Sequence, residues 1–491
     1  MSRPPKLVLT VIDGLKPAML ERAIALGRAP TLAAIRERGA YVDDCVAAFP
    51  SVTPVCAASI ATGVGPDAHR IPSMNWYSRE ERRYVEYGSS FSASRRAGVI
   101  RSLTDTVYNM NARHLAPEVP TVFERLDDAG VRTAGTTYLM YRGRHRHAAT
   151  DETTLARIAT STLFREPVLG PREFFYADLF ASRRTGCRGQ LGMPGLRDQH
   201  SGCVGAYLVE RDLFDFLLFS LPDNDAFSHR NGPHAQVTSI ATADRQLERL
   251  AHAAGGLDAF LEQHAMIVLA DHSHAGVEAR IRLDAAFADW EVAGANGRGS
   301  AGTVAISPAQ RSAMIYVLDE GRRERIAAEA AHVAAGVPGV DLVMRRTAPR
   351  EGAIASARGE LRFAPGGDLV DLRGARWSVD GALAAIGGHV EDGRLLTPDY
   401  PDALGRAWSA LTCPTAGDVL LSAAPAYEFV DWGGSDHVGG GSHGSLHASD
   451  SLGPLLWCGT GGAGADSAAA RDQWTLRDVL PMVTAHFGLP D

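Results

Sequence analysis

Phe49-Pro-Ser-Val-Thr-Pro-Val-Cys-Ala-Ala-Ser-Ile-Ala-Thr-Gly63 reads as the start, body and stop of a short helix. Thr53 stands where an N-cap belongs, Pro54 is preset for the first helical position, and Gly63 suits a left-handed stop. Val55, Ala58, Ile60 and Ala61 form an apolar body that packs inward. Two readings of Thr53 follow. It is a capping hydroxyl, or it is a hydroxyl in the anion-favouring field of a helix start, able to attack phosphorus if a metal holds it as the alkoxide. The choice turns on whether the rest of the chain supplies metal ligands.

Working outward, Lys6–Ile12 is a continuous apolar, β-branched run, the pattern of a central parallel strand. Asp13-Gly14 follows at its carboxyl end, where open α/β sheets place ligands and where an Asp also serves turns and caps. Leu213-Phe-Asp-Phe-Leu-Leu-Phe-Ser-Leu221 is the strongest strand signal and is followed by Pro222-Asp-Asn-Asp-Ala-Phe-Ser-His229. Asp225 and His229 are four apart, so one helical turn points both at one ion. Ala265–Ala270 is a further buried strand with Asp271-His272 at its end and His274 as a spare. A Gly-rich stretch, residues 433 to 447, carries His437, His443 and His447. Three strands thus end in acidic or acidic-histidine groups. Imidazole and carboxylate together suit zinc or a similar ion.

The remaining segments fill out an α/β chain. Leu20 to Arg38 is expected to be helical, Ala40 to Val46 a strand, Thr121 to Ala129 a helix and Arg132 to Leu139 a strand. Met74 to Leu115 reads as a long irregular excursion whose Trp76, Tyr77, Tyr84, Tyr87 and Tyr108 line a pocket or scatter over the surface. Tyr141 to His147 is a basic loop, more solvated than phosphate-holding; its His145 and His147 have no carboxylate near in sequence. Cys187 and Cys203 match no zinc spacing and are read as free thiols. From 276 to 432 the character changes to a smaller α+β insertion covering the site. It holds a strand at Ser312–Leu318, a helix at Arg323–Ala335 and a strand at Val340–Arg345. Gly- and Pro-rich connections run to Pro401, and a Gly417–Ser422 strand returns to the core sheet. Residues 1–275 and 433–491 form the catalytic core, closing with Leu455–Cys458 as a strand and Leu476–Phe487 as a helix.

Composition sets the bounds. The chain has 491 residues, 45% hydrophobic and 22% charged, the make-up of an ordinary globular protein with room for a large core. A net charge of -8 leaves no general nucleic-acid footprint. No apolar run is long enough for a signal peptide or a membrane span, so no membrane partner is expected. The six scattered cysteines suggest no disulfide scaffold and a cytoplasmic location.

The order of motifs resembles the type I phosphodiesterase and nucleotide pyrophosphatase family of the alkaline phosphatase superfamily. The pieces that carry the likeness are Val11-Ile-Asp-Gly14, Pro50-Ser-Val-Thr-Pro54, Ala61-Thr-Gly-Val-Gly-Pro-Asp-Ala-His69, Pro222 to His229, Ala270-Asp-His272 and Ser442-His-Gly444. The resemblance implies a central, mostly parallel sheet between helices, and two zinc ions or related divalent metals. Carried over by position, Asp225, His229 and His443 hold one ion, and Asp13, Thr53, Asp271 and His272 the other. His437 and His447 compete for the role of His443, which is preferred because His-Gly after a Gly-rich run matches the family. Many relatives have an Asn three residues after the nucleophile, where this chain has Cys56. They usually have a charged or aromatic neighbour beside it, where this chain has Val52 and Pro54.

The expected activity is hydrolysis of a phosphodiester or nucleotide pyrophosphate bond in a small phosphorylated substrate, with Thr53 as nucleophile. Two metals about 3.5 to 4 Å apart would polarise a phosphoryl oxygen and serve both attacking and leaving groups. Alternatives are a phosphonate or phosphomonoester hydrolase, a metal-dependent phosphomutase on the same fold, and a non-catalytic metal-binding protein. A sulfatase is disfavoured, because no Cys/Ser-x-Pro-x-Arg motif stands at the Thr53 stretch.

Overall fold

The Lys6–Ile12 strand is buried from Leu7 onward and sits inside an eight-stranded sheet. We describe a computed structural model covering residues 4–149, 166–189, 193–295, 302–460 and 471–490. Lys6–Ile12 pairs in parallel with Phe216–Leu221 on one side and His264–Leu269 on the other, Leu9 standing level with Leu218 and Ile267. Thr133–Thr136 and Glu173–Tyr176 extend the parallel part. Leu452–Cys458 and Ala40–Val46 close one edge antiparallel, and the short Phe180–Ala181 strand closes the other.

Continuous apolar strands require cover on both faces, and they have it. Val8, Ile12 and Leu217 pack with Leu20, Leu32, Leu208 and Leu247 of the helices Pro17–Ala25, Pro30–Glu37, Arg197–Glu210 and Val237–Ala253. Leu7, Leu9 and Val11 face the other way, onto Val55, Ile60, Phe123 and Val483 of Thr53–Thr62, Val122–Asp128 and Val479–His486. The strand-end acids therefore emerge together at one rim of the sheet.

A second, nine-stranded sheet draws all its strands from residues 304–423. Val419–Ala423 belongs to it, pairing with Ser312–Val317 and Val340–Ala348, and does not return to the core sheet as expected. Its apolar run fits either sheet, and antiparallel pairing with its neighbours decides the matter. The stretch expected to be Gly- and Pro-rich connections holds further strands, Glu351–Ser356, Gly359–Asp371 and Arg376–Gly381 among them. Their alternation is mixed with Gly and Pro, which hides it in the sequence.

Other corrections have local causes. Leu20–Arg38 is two helices, Pro17–Ala25 and Pro30–Glu37, because Gly27 takes φ +64° and Pro30 starts the second. Met74–Leu115 is not irregular. It forms a hairpin (Asn75–Ser78 with Arg83–Glu86), two short helices and a π-helix over Asp105–His114. Trp76, Tyr77, Tyr84 and Tyr87 are buried there, and the Trp76 indole donates to the Tyr87 hydroxyl at 3.2 Å. Cys187 and Cys203 form a disulfide with Cα atoms 5.8 Å apart, because the chain before Arg197 folds back on the helix that carries Cys203. The free thiols expected at these two positions are thus a bonded pair. Residues 190–192, between these two cysteines, lie outside the described residues. Among the described residues no helix is long and apolar enough to cross a membrane.

Candidate metal centre

The helix of Thr53–Thr62 opens differently from expectation. Val52 is its N-cap, with no side-chain cap bond, and Thr53 is the first helical residue. The Thr53 hydroxyl is thus free of capping duty and lies 3.2 Å from His272 Nε2. Gly63 ends the helix at φ 71°, as its sequence position predicts.

Asp225 and His229 lie one turn apart on the Asp223–Asn231 helix, which begins directly after the Phe216–Leu221 strand. The Nε2 atoms of three histidines converge on Asp225 Oδ1: His229 at 3.3 Å, His443 at 3.4 Å and His274 at 2.9 Å. On the adjoining side, His272 Nε2 stands 3.5 Å from Asp13 Oδ1 and 3.6 Å from Asp271 Oδ2. The His272 and His443 rings stack at 3.6 Å between centroids and join the two halves. All seven residues singled out in the sequence therefore lie in one cluster, and His274 joins them.

Backbone carbonyls set the ring orientations. His229 Nδ1 pairs with Gly441 O at 2.8 Å, His443 Nδ1 with Ser51 O at 2.8 Å and His272 Nδ1 with Ser273 O at 3.1 Å. Donation from Nδ1–H leaves each Nε2 lone pair facing the cluster, the arrangement of metal-binding imidazoles. Glycine makes the fit possible at Asp13-Gly14. Gly14 has φ +67°, and a Cβ there would come within 2.6 Å of the His274 ring.

The electrostatics of the cluster fit a cation site. Burial and the Asp271 and Asp225 carboxylates raise Asp13 well above the usual range. Burial, with Asp225 near, raises Asp271 to about 6. Burial alone would also raise Asp225, but the neighbouring His229 and the hydrogen bond from His274 hold it well below. Burial lowers His272 to about 4 and also lowers His274 and His443, so these three rings are neutral. Asp13 Oδ1 and His443 Nε2 are buried without a hydrogen-bond partner. Unpaired buried polar atoms are costly, and a divalent cation between these groups would satisfy them. The donor set, carboxylate and imidazole, fits zinc and its neighbours.

Three other candidates fall away from the cluster. His447 accepts from Ser449 and packs edge-on to Tyr400. His437 stacks on His229 at 4.0 Å while its Nδ1 pairs with Glu428. Cys56 is a buried thiol one helical turn beyond Thr53, pushed well above its ordinary pKa by burial. The Gly-rich histidine stretch is not an open loop at its end; Ser442, His443 and Ser445 are fully buried. His274 is the residue whose part the sequence left open; its signal was the alternation Asp-His-Ser-His at the strand end.

A mostly parallel sheet with an acid–imidazole cluster and a helix-start hydroxyl at its carboxyl rim defines an alkaline phosphatase-like protein. The chain belongs to the type I phosphodiesterase / nucleotide pyrophosphatase family, whose model matches residues 7–446, and it is a phosphoric ester hydrolase of that metal-dependent family. Among solved structures it is similar to phosphonoacetate hydrolase from Sinorhizobium meliloti 1021, seen with phosphonoformate, at 18% identity and TM-score 0.55, covering 99% of this chain and 96% of that one. It is also similar to human ectonucleotide pyrophosphatase / phosphodiesterase 5, at 12% identity and TM-score 0.58, covering 99% and 95%. A third likeness is to the murine protein of that name, an inactive threonine-to-alanine form in complex with AMP, at 11% identity, TM-score 0.57 and 99% and 96% coverage. No curated protein matches.

Proposed function

We propose that this protein hydrolyses a phosphodiester or nucleotide pyrophosphate bond in a small substrate, with Thr53 as nucleophile and two divalent ions, zinc by donor type. The observation that carries this reading is the placement of the Thr53 hydroxyl 3.2 Å from His272, on the edge of a buried carboxylate–imidazole cluster. Asp225, His229 and His443 would hold one ion, and Asp13, Thr53, Asp271 and His272 the other. Bound there, the ions supply charge that lowers the hydroxyl pKa and polarises a phosphoryl oxygen.

The chain's own residues do the rest. Thr53 Oγ1 attacks phosphorus in line; the new O–P bond forms as the bond to the leaving oxygen breaks, giving a threonine-linked phosphodiester that keeps the substrate's other ester group. Water then attacks that phosphorus and releases Thr53. Residues 276–432 are taken as an insertion over this site into a core of 1–275 and 433–491. The Arg311 amide donating to the His443 carbonyl at 2.9 Å supports that reading.

Charge balance supports a monoanionic diester over a dianionic monoester. Two arginines of the basic loop are already engaged: Arg142 is held by Glu124 and by the carbonyls of Leu115, Ala116 and Val119. Arg144 is held by Glu124 and Asp128. Arg197, the cation whose field reaches Asp13, is paired with Asp223 at 2.9 Å. The kcat/KM for bis-p-nitrophenyl phosphate should therefore exceed that for p-nitrophenyl phosphate by at least about tenfold, a difference of about 1.4 kcal/mol. A preference for the monoester would overturn the diester assignment. The likeness to phosphonoacetate hydrolase makes phosphonoacetate the second substrate to assay.

A further inference from the structure

Ten large apolar side chains are exposed among the described residues, and four of them fall between residues 91 and 103. Phe91 is 78% exposed and Ile100 63%, with Val99 and Leu103 beside them. They ride on two short helices, Phe91–Ala97 and Val99–Thr104, folded together at Gly98 with φ +104°. Ala93, Ala97 and Ser102 form the buried side, and the Ser102 hydroxyl bonds to the Glu86 carbonyl and Ser94. The outer side adds Arg95, Arg96 and Arg101, which make no ion pair among the described residues. From Tyr87 to Thr104 there is no Asp or Glu, although the chain carries a net charge of -8.

We propose that this helix pair is an interfacial platform that seats the enzyme on an anionic lipid surface. Exposed aromatic and aliphatic side chains interleaved with arginine match a headgroup boundary, where the rings enter the acyl edge and guanidinium groups meet phosphate. The chain as a whole carries a net charge of -8, so the arginine-bearing, acid-free platform stands out from its average charge. The expectation of no membrane partner concerned spans, which a surface platform does not need. The platform is fixed to the chain just before the Gly-rich histidine stretch, since the Ser90 hydroxyl bonds to Asp431 and Gly433 packs against Ser92.

The test is co-sedimentation of the whole protein with phosphatidylcholine vesicles, with and without phosphatidylglycerol, at low and high salt. Binding should require phosphatidylglycerol and weaken with salt. The Phe91→Ser/Ile100→Ser pair and the Arg95→Gln/Arg96→Gln/Arg101→Gln set should each cut binding by about tenfold or more, with turnover of soluble ester unchanged. The arginine set removes no packing and stands alone if the first pair misfolds. No binding to anionic vesicles at low salt overturns the proposal. So does equal binding by the variants, or a concentration-dependent dimer that Phe91→Ser dissolves without any vesicle binding.

A different observation carries a second inference, which rests on the metal reading above. His274 differs from the other three rings. Its Nδ1 is buried without a partner, and its hydrogen bond runs from Nε2 to Asp225 Oδ1 at 2.9 Å. The geometry points to Nε2–H as a donor that orients Asp225, making His274 a positioning residue and not a ligand. Lys16 fixes its backbone, donating to the His274 carbonyl at 3.1 Å and to Ser449 O at 3.0 Å.

Zinc affinity by chelator competition tests this. His274→Leu should weaken one ion by about 10- to 100-fold, and His274→Gln, which keeps an N–H near the same place, should recover most of it. Wild-type affinity in His274→Leu would overturn the role, and His274→Gln as weak as His274→Leu would make His274 a ligand instead. Failure of the underlying metal reading would show separately, as wild-type protein that takes up no zinc.

Discussion

Thr53→Ala should lower turnover by about four to six orders of magnitude, the size of loss that follows deletion of a covalent nucleophile. The same change should leave the thermal midpoint almost where it was. A capping threonine would cost about 0.5 to 2 kcal/mol on removal. Here Val52 is the cap position and the Thr53 hydroxyl meets His272, so the helix loses no cap bond. Thr53→Ser keeps an attacking oxygen and should retain measurable turnover. The pair of measurements separates the two readings with which the chain began: activity without stability identifies a nucleophile, stability without activity a cap. Near wild-type hydrolysis of bis-p-nitrophenyl phosphate by Thr53→Ala would discard the mechanism.

Much of this site was legible because buried parallel strands announce themselves by unbroken apolar runs. Ile12, Leu221 and Ala270 each end such a run, and the next polar residues fall at the ligand-bearing rim of the sheet. Asp225 and His229 were paired by helical spacing, and the structure puts both on one helix. What sequence spacing cannot carry is convergence across the fold. His443 reaches Asp225 from 218 positions away, because a buried strand at Gly441–Ser442, paired with Ala275–Gly276, brings it there.

The misreadings have physical causes too. Thr53 and Pro54 fit N-cap and first-position rules, but the helix starts one residue earlier, as Val52 already has extended angles and its carbonyl accepts from Val55 and Cys56. Such one-residue offsets lie beyond local propensity. The Cys187–Cys203 bond joins residues 16 apart across a folded-back segment, which no periodicity reveals. Strands such as Gly359–Asp371 carry Gly366 and Gly367 and a shift in pairing register, so period-two alternation fails where the sheet continues.

Removing metal should abolish turnover, and adding zinc or a related ion should restore it; elemental analysis should find about two ions per chain. The effect extends to stability, with a definite sign. Asp13 and Asp271 titrate above their ordinary range in the folded chain, through burial and mutual repulsion. At these two carboxylates the metal-free fold holds protons that the unfolded chain has lost, so their contribution to stability falls as pH rises through about 6. Asp225 is held low and adds nothing in that interval, whereas the buried histidines, His272 at about 4 among them, act in the opposite sense, so the comparison of loaded with stripped protein is the readout. A bound cation needs these carboxylates deprotonated, so its binding releases protons and tightens as pH rises. The melting temperatures of loaded and stripped protein should then draw together near about pH 5 and separate towards about pH 8. Differential scanning calorimetry across that range, with and without chelator, reads both effects. Stripped protein that melts with the loaded form at every pH, or that keeps its turnover, would mean the buried carboxylates are balanced by something other than a metal.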